Sequence, residues 1–138
     1  MMLYIEKLYD KGKLGRGARA ARRLNAALRL LRDYEFSGFV PSIRCPLAYA
    51  DCRAKGVKND DAVDRIEAVD RYLAGVRACG PECFSVVEHF VLNDSTMAAY
   101  LRRNLLPDGG RVAAIIYGLL GRGLDLISET YEKGKENG

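Results

Sequence analysis

The chain has 138 residues, 49% of them hydrophobic and 29% charged, with 22 Lys plus Arg against 18 Asp plus Glu. That balance fits one folded domain and excludes a disordered or low-complexity chain. The longest apolar run, Val112 to Leu120, falls well short of the ~20 residues of a membrane span. The opening Met1-Met2-Leu3-Tyr4-Ile5-Glu6 has neither a basic leader nor a long apolar stretch, so the expected location is the cytoplasm.

Residues 14–36 are rich in Ala and Leu and hold no proline or β-branched residue. Ala20, Ala21, Leu24, Ala27, Leu28 and Leu31 recur at spacings of three and four, which predicts an amphipathic helix with Leu30 off its apolar side. The stretch Lys11, Lys13, Arg16, Arg19, Arg22, Arg23, Arg29 and Arg32 contains no acidic residue between its ends. Near a duplex such a stretch releases counterions from several phosphates. The alternative is a solvated face packed beside an acidic helix, which cancels its field. The apolar side is mostly Ala and lacks the Trp or Phe anchors of a membrane-surface helix.

Gly38 and Pro41 end this helix, and residues 41–59 read as a loop with one helical turn near Leu47 to Arg53. Asn59, Asp60 and Asp61 then suit a helix start, a side-chain cap followed by acids at the positive end of the dipole. The acidic helix spans 60–79, with Val63, Ile66, Val69, Tyr72, Leu73 and Val76 in helical period and Gly80 as its stop. Pro81 opens the next helix, whose Phe84, Val86, Val87, Phe90 and Val91 mark it as the core helix. His89 falls at the core's edge, and Glu88 beside it does not face it.

Asn93, Asp94 and Ser95 are expected caps of a short helix ending near Asn104, and Pro107 to Gly110 forms a turn. The final helix runs from Arg111 to about Tyr131, carrying Val112, Ile115, Ile116, Leu119, Leu120, Leu124 and Ile127. Gly118, Gly121 and Gly123 weaken it, a cost met where another helix or a ligand comes close. Residues 132–138 are expected to fray. The fold class is therefore an all-α single-domain bundle of five or six helices.

The four cysteines fall as Cys45-x6-Cys52 and Cys79-x3-Cys83. A reducing compartment argues against bridges. Cys79 and Cys83 fit the spacing window of a zinc-ligand pair, whereas the neighbours Phe84, Val86 and Val87 suit small buried hydrophobes. With one histidine and no phosphate-loop or nucleophile motif, no set of groups points to catalysis, and the chain reads as a non-enzyme without a cofactor.

The core helix, the short capped helix, the turn and the long last helix, over 81–131, have the layout of a helix-turn-helix unit. In that reading Arg102 and Arg103 lie near phosphates, Arg111 and Tyr117 face the major groove, and Arg16, Arg19, Arg22 and Arg23 of the basic helix meet the backbone. A helical hairpin buried in a bundle or a dimer interface gives the same pattern.

Residues 79–131, "CGPECFSVVEHFVLNDSTMAAYLRRNLLPDGGRVAAIIYGLLGRGLDLISETY", resemble the sigma-factor region-four type of helix-turn-helix found in prophage-encoded and bacterial regulators. The matching parts are the aromatic-apolar core helix, the Asp94-Ser95 start, the Gly-containing turn and the closing "GLDLISETY". The basic N-terminal helix is similar to the start of those proteins, while the turn "NLLPDGG" departs from their tighter pattern. The resemblance implies double-stranded DNA or transcription machinery as partner. The rival from another class is a helical interaction or assembly protein, a homodimer through its glycine-bearing last helix or an inhibitor of another protein.

Overall fold

The computed structural model describes residues 2–37 and 59–136. Among them the chain is all α: α1 (Tyr4–Asp10), α2 (Gly17–Ser37), α3 (Asn59–Val87) continuing into a π-helical turn (Glu88–Leu92), α4 (Met97–Arg103) and α5 (Gly110–Glu136). No strand occurs among the described residues, and no helix is long and apolar enough to cross a membrane. Of the loop expected over 41–59, residues 41–58, with Cys45 and Cys52, lie outside what is described, as does the capping side chain of Asn59, whose backbone already begins the helix.

Three long helices make the body. Asp33 of α2 meets Arg71 of α3 and Tyr131 of α5. One turn earlier on α2, Leu30 comes within 3.2 Å of where a Cβ on Gly75 would stand, with Ile127 at 3.7 Å. Nearer the start of α2, Arg23 meets Asp125. Residue numbers thus rise together on α2 and α5 and fall on α3, so α3 runs antiparallel to the other two. At Gly123 of α5 a Cβ would lie 2.9 Å from Val87 and 3.3 Å from Cys83. Glycine there brings α3 and α5 into close contact, and Gly121 lies against Arg23 of α2, both as expected; Gly118 faces open space.

The buried core contains Ile5, Leu8, Leu14, Leu30, Val86, Val87, Phe90, Leu120, Leu124 and Ile127. Leu30, expected off the apolar side of its helix, is fully buried. The inward stripe of α2 is Ala20, Arg23, Ala26, Ala27, Leu30, Asp33 and Ser37, and Leu24, Leu28 and Leu31 flank it half-buried. The shift has a plain cause: two charged residues, Arg23 and Asp33, lie on the inner face and are satisfied there by partners far away in sequence. A hydrophobic pattern assigns such residues to water.

Gly80 ends the first part of α3 with a left-handed φ of 79°, and Pro81 restarts the helix, so the expected break stands at the expected residue. The short α1 has no readable signature in the sequence, because its 7 residues are too few to establish a period. Its first turn is capped twice. Glu6 accepts from the Leu3 N–H at 3.1 Å, and Asp94 accepts from the Tyr4 N–H at 2.7 Å. Asp94 therefore caps a helix ninety residues away, not its own neighbour. α4 is capped by Thr96, whose hydroxyl accepts from the Ala99 N–H at 3.2 Å, and Ser95 instead donates to the Asn93 carbonyl. The backbone of residues 132–136, expected to fray, continues α5 as helix to Glu136.

Candidate nucleic-acid interface

One end of the bundle is assembled around the fully buried ring of Phe90, in the π-helical turn. Tyr4 of α1 stacks on it at 5.9 Å between centroids, Tyr100 of α4 stacks at 5.8 Å, and Tyr117 of α5 lies tilted at 6.4 Å. His89 sits edge-on to both Phe90 and Tyr100 at 5.1 Å. Its Nε2 shares a 2.9 Å hydrogen bond with the Thr96 carbonyl, so the ring holds the start of α4. Such offset and edge contacts each stabilise the cluster beyond what the buried area of the rings contributes. Four elements of the chain meet at this cluster, and exposed cations lie on α4, on α5 and on the loop that follows α1.

Lys13, in the loop between α1 and α2, holds its ammonium 5.6 Å from the centroid of Tyr117. Tyr117, expected in a DNA groove, belongs to the aromatic cluster. It is half-buried, and burial together with the adjacent Tyr4 hydroxyl raises its pKa. Arg111 is exposed in the first turn of α5, and Arg102 and Arg103 are exposed at the end of α4. α4 packs on the Phe90 cluster, and six residues, 104–109, separate it from α5, against the three or four of a standard helix-turn-helix turn.

The basic helix divides its arginines between two jobs. Arg16 and Arg19 are exposed, and neither forms an ion pair among the described residues. Arg22 approaches Glu132 at 3.6 Å with both side chains more than half exposed. Arg23 is different. Its Nε and Nη2 donate to the two carboxylate oxygens of Asp125 at 2.9 and 2.8 Å, and its Nη1 donates to the Leu14 carbonyl at 2.8 Å. Hydrogen bonding to Arg23 holds the Asp125 carboxyl below the ordinary carboxylate range, and Asp125 raises Arg23 in turn. A Cβ on Gly121 would stand 2.7 Å from Arg23 Nη1, so that glycine leaves room for the guanidinium. Arg23 ties α2, α5 and the preceding loop together and is withdrawn from any partner. The run of basic residues gave no sign of this, since the signal is an acid about a hundred positions later.

The far end is built the other way. Asp33, with its side chain 8% exposed, accepts from Arg71 at 3.1 Å and from the Tyr131 hydroxyl at 3.1 Å. Burial, then Asp33, raises the Tyr131 pKa, and the Arg29 guanidinium covers the same ring at 4.5 Å. The exposed acids Asp64, Glu67 and Asp70 of α3 flank Arg71 in sequence. The carboxylates that partner α2 arginines in ion pairs belong to α5 instead, Asp125 and Glu132.

Cys79 and Cys83 are both free and buried between α3 and α5. Burial pushes the Cys79 thiol up to about 12, and its Sγ donates to the Gly123 carbonyl at 3.6 Å. Among the described residues no three His, Cys, Asp or Glu side chains gather to hold a metal. Compared with family models, curated proteins and solved structures, the chain finds no match.

Proposed function

We propose that the protein binds double-stranded DNA through the Phe90 end of the bundle, as a small transcriptional regulator of the prophage type its sequence resembles. The observation that carries this reading is a set of exposed cations from four elements, Lys13, Arg16, Arg19, Arg102, Arg103 and Arg111, none in an ion pair among the described residues. Nearby carboxylates are engaged elsewhere: Glu6 and Asp94 cap α1, and Asp125 holds Arg23. Asp10 and Asp108 are exposed acids at the same end and leave the balance positive. Cations so placed attract phosphates and release counterions. The test is fluorescence anisotropy with a random duplex across a salt series. Six phosphate contacts give a log–log slope of about −5. Failure to bind at low salt ends the reading.

A second reading, a helical interaction protein, draws on the outer face of α5, where Ile115 is 61% exposed beside exposed Ala114 and Gly118. Light scattering decides its homodimeric form, since a monomeric mass at high protein concentration removes it.

A further inference from the structure

Leu105 is 92% exposed, the most exposed large hydrophobic residue described, and Leu106 beside it is 38% exposed. α4 ends in a two-bond motif: the Leu106 N–H donates to the Leu101 carbonyl at 2.9 Å and the Leu105 N–H to the Arg102 carbonyl at 3.2 Å. The motif demands a left-handed backbone at its pivot, and Leu105 has φ 55°. α1 ends in the same motif, with the Lys13 N–H on the Leu8 carbonyl at 2.9 Å and the Gly12 N–H on the Tyr9 carbonyl at 3.1 Å. There the pivot is Gly12, φ 78°. Glycine suits the position because a Cβ crowds the adjoining carbonyl in that backbone. The chain uses glycine at one pivot and leucine at the other, where leucine is unfavourable twice: its backbone is strained and its side chain is in water. An outlier that folding does not explain points to a role in binding.

We infer that Leu105 is a wedge that enters a base step of duplex DNA from the minor groove and bends the duplex. The inference rests on the DNA-binding reading. Arg102 and Arg103 precede the leucine and Arg111 follows it, all exposed, so the chain brackets the apolar tip with side chains suited to phosphates. Asp108 is the one exposed acid of that loop. Apolar side chains on a rigid tip unstack base steps in this way, and pyrimidine–purine steps open most easily. The backbone motif supplies the rigidity. Two leucines at a tip fall far short of the roughly 800 Å² each partner contributes to a standard protein interface. A second copy of this chain would bring the same arginines against these, and repulsion disfavours it.

The experiment uses the full chain and a short duplex carrying a fluorophore at each end, with either a central TA step or an A-tract of equal length. Energy transfer reports the bend, anisotropy the binding and light scattering the mass. Wild-type protein is expected to shorten the end-to-end distance of the TA duplex and to leave the A-tract straighter. L105G is expected to melt at a higher temperature than wild type, to bind with an unchanged salt slope, and to lose the bend. A wild-type complex that binds without bending, or an L105G complex that bends as wild type does, overturns the wedge while leaving the DNA reading intact. No binding at any salt overturns the DNA reading itself. A wild-type dimer that L105G converts to monomer assigns the leucine to a second copy and overturns the wedge.

Discussion

At one end of the bundle a buried phenyl ring, Phe90, gathers Tyr4, His89, Tyr100 and Tyr117; at the other a buried carboxylate, Asp33, gathers Arg71 and Tyr131. Both clusters join elements distant in sequence, but they leave different surfaces behind. An aromatic centre consumes no charge, so the cations around Phe90 stay available to solvent or to a partner. An ionic centre commits a cation to a fixed partner, as Arg71 is committed to Asp33. Arg23 shows the rule in miniature: its bidentate pair with Asp125 stabilises the body and removes one arginine from the basic surface.

Phe90→Ala breaks the comparison at its strongest point. The ring is fully buried, and its removal is expected to cost about 3–5 kcal/mol, read as a lower urea midpoint. DNA affinity should fall with it even in the folded fraction, because the clustered rings hold α1, α4 and the Lys13 loop in place. Asp33→Asn is expected to cost less, about 2 kcal/mol, since Arg71 is 45% exposed and recovers water when its charged partner goes. Its salt slope on DNA should stay at the wild-type value. A variant of Asp33 that abolished DNA binding while folded would show that the far end, not the Phe90 end, is the functional one.

Two sets of groups make stability depend on pH with opposite signs. Burial raises Cys79 and Tyr72 to about 12 and raises Tyr131 further, so the folded chain keeps protons that the unfolded chain releases. Unfolded thiols and phenols titrate near about 8.5 and 10, and stability is therefore complete below that range and lost as pH rises through it toward the folded values. Asp125 acts with the opposite sign. Its carboxyl is depressed by Arg23, so its contribution is complete above the ordinary carboxylate range and is lost as pH falls through the depressed value. That acid loss is the smaller one, because the Asp125 side chain is 36% exposed and solvent screens the pair. Urea midpoints across pH test both limbs; a stability that stayed flat up to pH 12 would contradict the burial of these groups.

Much of the helical order is legible because it depends on local signals. Gly80-Pro81 breaks a helix by backbone geometry alone, and the apolar spacing of Val86, Val87 and Phe90 marks the core helix without reference to anything distant. What stays hidden is whatever depends on a partner far along the chain. Arg23 looks like Arg22 until Asp125 is placed, Asp94 looks like the cap of the next helix until Tyr4 is placed, and Tyr117 looks like a surface reader until Phe90 lies behind it. Leu105 is hidden for another reason: its exposure follows from a left-handed pivot that its residue type disfavours.

The smallest predicted effect separates neighbours on one helix. Arg22 and Arg23 are adjacent and chemically identical, yet Arg23 has a side chain 16% exposed with three hydrogen bonds, while Arg22 is 61% exposed and 3.6 Å from an exposed Glu132. An exposed pair at that distance contributes about 0–0.5 kcal/mol, so Arg22→Ala should leave the urea midpoint within error. Its effect on DNA should still be visible. Removing Arg22 deletes one cation and frees the Glu132 carboxylate, two changes of the same sign on the flank of the basic surface. The salt slope should become shallower by less than the roughly 0.9 expected for a full phosphate contact, since Arg22 is shared with Glu132 in the free protein. A slope unchanged on Arg22→Ala but flattened on Arg19→Ala would confine the DNA to the start of α2, beside Lys13 and the aromatic cluster, and away from the Asp33 end.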